Sequence, residues 1–425
     1  MDHFNYHDGR LCCEQVPVER IADEVGTPAY VYSTATLLHH FDQFTKAFAE
    51  LNPLICYAVK SCHNLAICRL LHERGAGFDV VSGGEIHRVL RVGADPAKIV
   101  YAGVGKTDTE ITEAIEAGIG WFNVESEAEM ENLIRIAAQH EKTLRAALRV
   151  NPDVDPKTHR YTATGKKETK FGVDLERARR FFESYGRDHW VRLSGIHLHI
   201  GSLVNTIKPY VDAVSKALEL IDELAADGFA IEMLDIGGGY GAHYESTDAP
   251  PPAAYAKAIV PLLRGRCLQI VLEPGRSISA NAGILLARVL YTKESGDRQF
   301  VIVDAGMTDL LRPALYEAYH FVWPAKVSSE FVPTSRDNRE PFDGAILADV
   351  VGPVCESGDF LAKDRYLPPV QRGDLLAVFS AGAYGFVMAS QYNSRPRPPE
   401  ILVSADTFKT IRQRETYDDL LRGER

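Results

Sequence analysis

A lysine that closes an apolar strand can do chemistry that a solvated lysine cannot. Lys60 ends the run Leu54-Ile55-Cys56-Tyr57-Ala58-Val59, and the polar stretch Ser61-Cys62-His63-Asn64 then starts a helical pattern. At the rim of an apolar core an amine loses hydration, its pKa falls, and the neutral form attacks a carbonyl to give a Schiff base. Most lysines after strands are simply solvated, so Lys60 takes its meaning from its companions. In Asp235-Ile236-Gly237-Gly238-Gly239-Tyr240-Gly241 the glycines let backbone N–H groups enclose a phosphate, although a tight turn is the commoner reason for such a run. Glu273-Pro274-Gly275-Arg276 sets a carboxylate beside a guanidinium, and Ser202 adds a hydroxyl three residues beyond His199. His197 and His199 are two apart on a strand and share a face. With no acidic or cysteine residue at ligand spacing, no metal site is expected there. His197 reads as a satisfied core histidine, and His199, nearer the strand end, as the ring that contacts a bound group.

The elements that must position these groups are short β-prone runs at 54–59, 77–81, 98–103, 121–124, 146–150, 194–200, 232–236 and 268–272, separated by amphipathic stretches such as 125–140. Strands alternating with helices imply parallel βαβ units, and eight such units imply an α/β fold, a closed (β/α)8 TIM barrel, over residues 30–280. In that fold the strands' C-terminal ends carry the chemistry. Lys60, Asp79, Arg149, His199, Gly237 to Gly239 and Glu273 all fall there. Beyond residue 280 the helical periodicity fades into β-rich runs broken by Gly, Pro, Asp and Asn, so residues 281–425 read as a second, all-β domain of sandwich or barrel type. Residues 1–29 are assigned to it, with Ala29-Tyr30-Val31-Tyr32 a candidate strand. The polar segment 151–172 is either a loop over the barrel mouth or an exposed connection.

An amine, a phosphate cradle, a carboxylate and a flat imidazole together fit pyridoxal 5'-phosphate, with Lys60 as the Schiff-base lysine and Glu273 holding the pyridine nitrogen protonated. Gly352-Pro353-Val354-Cys355-Glu356-Ser357-Gly358-Asp359, read alone, is an ordinary turn-rich loop with a buried cysteine and a solvated glutamate. Tyr384, in Ala381-Gly382-Ala383-Tyr384-Gly385, reads as a packing residue.

The chain resembles the fold type III pyridoxal-phosphate decarboxylases, and among them most closely those acting on diaminopimelate. The resemblance runs from about Gly26 to Val403. It rests on Tyr57-Ala58-Val59-Lys60, Phe78-Asp79-Val80-Val81-Ser82-Gly83-Gly84-Glu85, His197-Leu198-His199-Ile200-Gly201-Ser202, the Gly237 loop, Glu273-Pro274-Gly275-Arg276, Leu311-Arg312-Pro313-Ala314-Leu315-Tyr316, Cys355-Glu356-Ser357 and Tyr392-Asn393-Ser394-Arg395-Pro396-Arg397-Pro398. It implies that Lys60 carries the cofactor, His199 stacks on its ring and Glu273 pairs with the ring nitrogen. It further implies that Gly237, Gly238, Gly239, Ser202, Gly275 and Arg276 hold the phosphate near Tyr384, with Asp79, Glu85 and Arg149 in support. Arg276, Arg312, Tyr316 and Tyr384 would contact substrate, Glu356 its distal ammonium, and Cys355 would protonate the product carbon. Cys355 and Glu356 would enter from the other subunit of a homodimer. The implied reaction is decarboxylation of meso-2,6-diaminopimelate to L-lysine. The rival readings are a related decarboxylase acting on ornithine, lysine, arginine or carboxynorspermidine, and a catalytically silent, partner-binding homologue. Ser61-Cys62-His63 departs from the Ala-Asn-Ser type common in the family.

With 425 residues, 45% hydrophobic and 25% charged, the composition is that of a globular protein large enough for two domains. A formal charge of -11 argues against nucleic acid or an anionic membrane as partner. No signal-like or membrane-spanning run is evident, so a cytoplasmic location is expected. The seven cysteines form no Cys-x-x-Cys pair and are expected to be mostly small buried residues, Cys355 excepted.

Overall fold

The computed structural model describes residues 2–155, 170–244, 249–296 and 298–425, which form two compact units. One comprises residues 40–241 and 249–277; the other comprises residues 1–39, 242–248 and 278–425.

The first unit is a closed barrel of eight parallel strands: β1 (Leu54–Ala58), β2 (Gly77–Val80), β3 (Ile99–Tyr101), β4 (Trp121–Val124), β5 (Leu144–Asn151), β6 (Val191–Leu198), β7 (Met233–Asp235) and β8 (Gln269–Leu272). Neighbours in sequence pair in space, and β8 returns to β1 through Val271↔Leu54 and Leu272↔Ile55. The eight runs expected from the sequence are these strands. They are nearly continuous buried stretches because helices cover the outer face while side chains fill the interior. Helices follow each strand, and the first turns of those after β1 to β5 are fixed by side-chain caps. Asn64 accepts the Ala66 N–H at 2.9 Å, and Thr107 with Glu110 forms a capping box.

Strand periodicity stacks the interior in layers. The lower layer is apolar: Cys56, Val100, Trp121, Ala147, Met233 and Val271 pack as one buried cluster. Two residues further along the same strands, the same inward positions become Ala58, Asn123, Arg149, Asp235 and Glu273, joined by Asp79 on β2 and His197 on β6. The barrel thus changes from a dry floor to a charged layer within one step of the strand period.

The second unit is built around the long strand Gly283–Ser295. Its first half pairs antiparallel with Ala29–Ser33 and Leu375–Val378, and its second half with Arg298–Val303. Ala29–Ser33 also lies parallel to Glu400–Ser404, so an early segment of the chain is sewn into a late sheet. Ile346–Val351 and Phe360–Leu367 extend the other end. A small separate sheet joins Phe4–His7, Arg10–Cys13 and Val16–Pro17. Short helices, Val18–Val25 and Arg312–Tyr316 among them, punctuate this unit, which is otherwise β as expected.

Candidate active site

Lys60 is set by the turn that ends β1. The strand stops at Ala58, one residue short of the run 54–59 expected from sequence, and a single 3-10 turn, Val59–Ser61, carries the lysine. The turn is tied down from inside: Tyr57 donates to the Cys62 carbonyl at 3.0 Å and Ser61 to the Ala58 carbonyl at 2.8 Å. The Lys60 Nζ makes a short hydrogen bond and ion pair with Asp79 Oδ2 at the end of β2. Asp79 is wholly buried, and burial, with Glu273 nearby, pushes its carboxyl up to about 6 against the pull of Lys60. Its other oxygen, Oδ1, meets no hydrogen-bond partner. Burial likewise pushes Glu85 up to about 7, although it accepts the Val81 N–H at 2.9 Å.

Arg149 on β5 is buried and paired with Glu125, NH1 to Oε1 3.2 Å, and Glu125 also accepts the Gly172 N–H at 3.2 Å. Sequence reading missed Glu125 because its partner comes from the next strand. Asn151 hydrogen-bonds the Phe171 carbonyl, so the described ends of the 151–172 segment are fixed beside β5. The alternatives weighed for that segment fall mostly on residues 156–169, outside the described residues.

His199 lies one residue past β6 with Nδ1 accepting the Gly238 N–H at 3.4 Å. Burial, together with the charges of Arg149 and Lys60, holds it well below the ordinary imidazole range, so it is a neutral ring. His197 corrects the sequence reading. It is not a satisfied core histidine: neither ring nitrogen has a hydrogen-bond partner, and Nε2 stands 3.5 Å from Glu273 Oε2. Nor are acidic neighbours lacking. His197, Asp235 and Glu273 bring ligand atoms within 4.8 Å of one another, all three buried, from three strands far apart in sequence.

The glycine loop is explained first by packing. A Cβ on Gly237, Gly238 or Gly239 would lie 2.1 Å from the Leu198 carbonyl oxygen, 2.3 Å from that of Glu273 or 2.0 Å from that of Gly201. The chain therefore threads between the ends of β6 and β8 where no side chain fits. Two of its N–H groups are already engaged, Gly237 with Asp235 at 2.8 Å and Gly238 with His199. Beside the loop at this edge, Arg276 Nε and NH2 lie 3.2 and 3.0 Å from the Ser202 hydroxyl. Gly275 packs against Ala58 and Ser61, which joins this edge to the lysine turn.

The residues present fit pyridoxal 5'-phosphate. Buried polar atoms without partners, Asp79 Oδ1, Glu273 Oε1 and the His197 nitrogens, are too costly to leave so in a dry interior unless a polar group meets them. Lys60, the neutral His199 ring and the Ser202–Arg276 pair supply the remaining contacts such a molecule needs.

In the second unit Arg312 is buried. Its guanidinium donates to His320 Nε2 at 2.8 Å and lies 4.3 Å over the Tyr244 ring. His320 Nδ1 faces the Phe379 carbonyl at 2.8 Å, so Nδ1 carries the proton and Nε2 accepts. Tyr316 ends the same short helix, half-buried, and Tyr384 holds a left-handed φ of 55°. The loop at Cys355 is organised by Asp359, which accepts the Val354 N–H at 2.6 Å, while Asn393 accepts the Cys355 N–H at 2.8 Å. Tyr392 reaches Glu356 at 3.3 Å. Cys355 is exposed, against the plain reading of a buried thiol; Cys267 is exposed too, and the other five cysteines are buried.

Residues 34–280 match the family model described as the pyridoxal binding domain of pyridoxal-dependent decarboxylases. A diaminopimelate decarboxylase of Aquifex aeolicus is 47% identical over 98% of this chain and 96% of its own length, and one of Pseudomonas aeruginosa is 46% identical over 100% and 99%. The crystal structure of diaminopimelate decarboxylase from Helicobacter pylori, complexed with L-lysine, matches with a TM-score of 0.88 at 40% identity, covering 95% of this chain and 98% of that one. On the barrel, the charged layer and these likenesses together, the chain belongs to the diaminopimelate decarboxylase family of pyridoxal-dependent decarboxylases.

Proposed function

We propose that this chain decarboxylates meso-2,6-diaminopimelate to L-lysine and carbon dioxide, the closing step of lysine formation, with pyridoxal 5'-phosphate as cofactor. The observation that carries the reading is the charged layer above the barrel floor, where Lys60, Asp79, His199 and Glu273 meet groups that need a polar ligand. When bound, the protonated pyridine ring supplies an electron sink for the pair left by the departing carboxylate. The chain's residues do the rest. Lys60 holds the cofactor through Nζ, and Asp79 Oδ2, already beside that atom, receives and returns its proton. Glu273 stays anionic opposite the ring nitrogen: burial alone would raise its carboxyl, but His197 3.5 Å away and the charge of Lys60 hold it low. His199, neutral, offers a flat face, and Ser202, Arg276, Gly237 to Gly239 and Gly275 hold the phosphate end. Arg149 is held in place by Glu125.

To the remaining residues we assign roles that follow the family pattern. Arg276, Arg312 and Tyr316 take the distal carboxylate, Glu356 the distal ammonium, Tyr384 the cofactor and substrate, and Cys355 delivers the proton to carbon. A substrate carrying both charges at its unreactive end needs both kinds of partner. Supporting a shared site is the exposure of Cys355 and Glu356, which suits a loop offered to a second copy in a homodimer. No described helix is long and apolar enough to cross a membrane, and we place the enzyme in the cytoplasm. The test is carbon dioxide release from diaminopimelate by the purified protein supplied with pyridoxal 5'-phosphate. Lys60→Ala is expected to abolish both release and visible absorbance, and a Lys60→Ala protein that turns over normally would overturn the reading.

A further inference from the structure

His197 and Asp235 belong to the same buried layer as Glu273, and neither is assigned a contact with cofactor or substrate above. Both are buried, and the polar and charged groups around them are Lys60 and Asp79 at the ends of β1 and β2, Asn123 on β4, Arg149 on β5 and Glu273 after β8. Asp235 Oδ1 accepts the Gly237 N–H at 2.8 Å, and Asn123 Nδ2 reaches Oδ2 only at 3.4 Å. Asp235 and Glu273 bring carboxylate oxygens within 4.8 Å of each other, and of two carboxylates this close in a buried site one keeps its proton. The neighbours say which. Lys60 is ion-paired with Asp79 and His197 Nε2 faces Glu273 at 3.5 Å, whereas no described cation is paired with Asp235.

We propose that Asp235 and His197 are positioning residues for Glu273: Asp235 as a neutral acid donating its proton to the Glu273 carboxylate, and His197 fixing that carboxylate through Nε2. The inference rests on the cofactor reading above and deepens it. Glu273 arrives oriented and anionic, so the ring nitrogen meets a partner that needs no reorganisation. A neutral Asp235 has a distinctive consequence. Asparagine, also neutral and able to donate from its amide, can replace it; alanine cannot.

The experiment compares Asp235→Asn and Asp235→Ala, each stripped of cofactor and titrated with pyridoxal 5'-phosphate. The readouts are the dissociation constant and the pH at which the visible absorbance of the lysine-bound cofactor changes. Asp235→Asn is expected to bind within about 3-fold of the parent, and Asp235→Ala about 10-fold more weakly, the loss of one hydrogen bond to a charged group. The absorbance transition should move in the alanine variant and stay in the asparagine variant. If Asp235→Asn loses affinity as severely as Asp235→Ala, the residue is needed as an anion or for shape alone, and the inference fails. Should Asp235→Ala not fold, His197→Gln and His197→Leu carry the same comparison, with only the leucine variant expected to weaken binding. A parent protein showing no visible absorbance sensitive to Lys60→Ala would instead defeat the cofactor reading. Stoichiometric zinc or another divalent ion in the purified parent, lost in Asp235→Asn, would make the trio a metal site and overturn the proposal.

Discussion

Substituting Gly237 by alanine probes the packing that shapes the phosphate edge, and the structure supplies both the cost and a control. Gly237 has φ +76°, and a Cβ there would lie 2.1 Å from the Leu198 carbonyl oxygen and 3.3 Å from His199 Nδ1. Gly265 has nearly the same φ, +77°, with nothing within 4 Å of its Cβ. Gly265→Ala therefore pays only for an L-residue in left-handed backbone, about 1–2 kcal/mol. Gly237→Ala adds a backbone clash that the β6 end must absorb, roughly 1–3 kcal/mol more on the scale of core overpacking. Because the displaced atoms include His199, the second effect should also reach the cofactor. Urea unfolding followed by circular dichroism, with pyridoxal 5'-phosphate titration of the cofactor-free protein, gives both numbers. The expected outcome is a larger stability loss in Gly237→Ala and weaker cofactor binding in that variant alone. Equal losses in the two variants would show that the loop glycines serve only backbone conformation, and the packing argument would be wrong.

Arg149→Met should destabilise the protein by about 3–5 kcal/mol by stranding buried Glu125 without its cation, and a double variant with Glu125→Leu should recover part of the loss; denaturation midpoints decide. Glu85 is an acid whose folded pKa, about 7, lies above its ordinary 4.5. The folded state therefore binds more protons than the unfolded one between those values, and stability falls as pH rises through that window. Glu85→Gln should remove this loss and gain roughly 2–3 kcal/mol over the parent at pH 8 relative to pH 5, and a pH-independent difference would contradict the burial argument. Cys355→Ala should keep the cofactor spectrum and lose turnover. If Cys355 is contributed by a second copy, mixing Lys60→Ala with Cys355→Ala and letting subunits exchange at random should restore about a quarter of the parent rate, whereas a shared site is excluded by no recovery after proven exchange.

The barrel was legible because its evidence is local. Each strand is a short apolar run between turn residues, and parallel strands buried on both faces leave that trace in the chain. Lys60, Asp79, Arg149, His199 and Glu273 could be seen by counting to the ends of those runs. What the sequence hid are pairings across strands. Glu125 sits beside Arg149, and Asp235 and Glu273 beside His197, only because the barrel closes, and no spacing rule along one strand contains that fact. His197 accordingly looked like core filling. The glycine loop was read for the freedom glycine gives to ligand approach, while the carbonyls of Leu198, Gly201 and Glu273 already require it. The Cys355 loop is a further kind of case. Asp359 and Asn393 organise it and leave its thiol exposed, a consequence of tertiary contacts that composition does not encode.

The most direct test of the account is carbon dioxide release by the purified enzyme, with pyridoxal 5'-phosphate, from meso-diaminopimelate beside ornithine, arginine and lysine at equal concentration. Release from diaminopimelate alone, with L-lysine as the product, is the predicted result; release from ornithine, arginine or lysine at a comparable rate would contradict it.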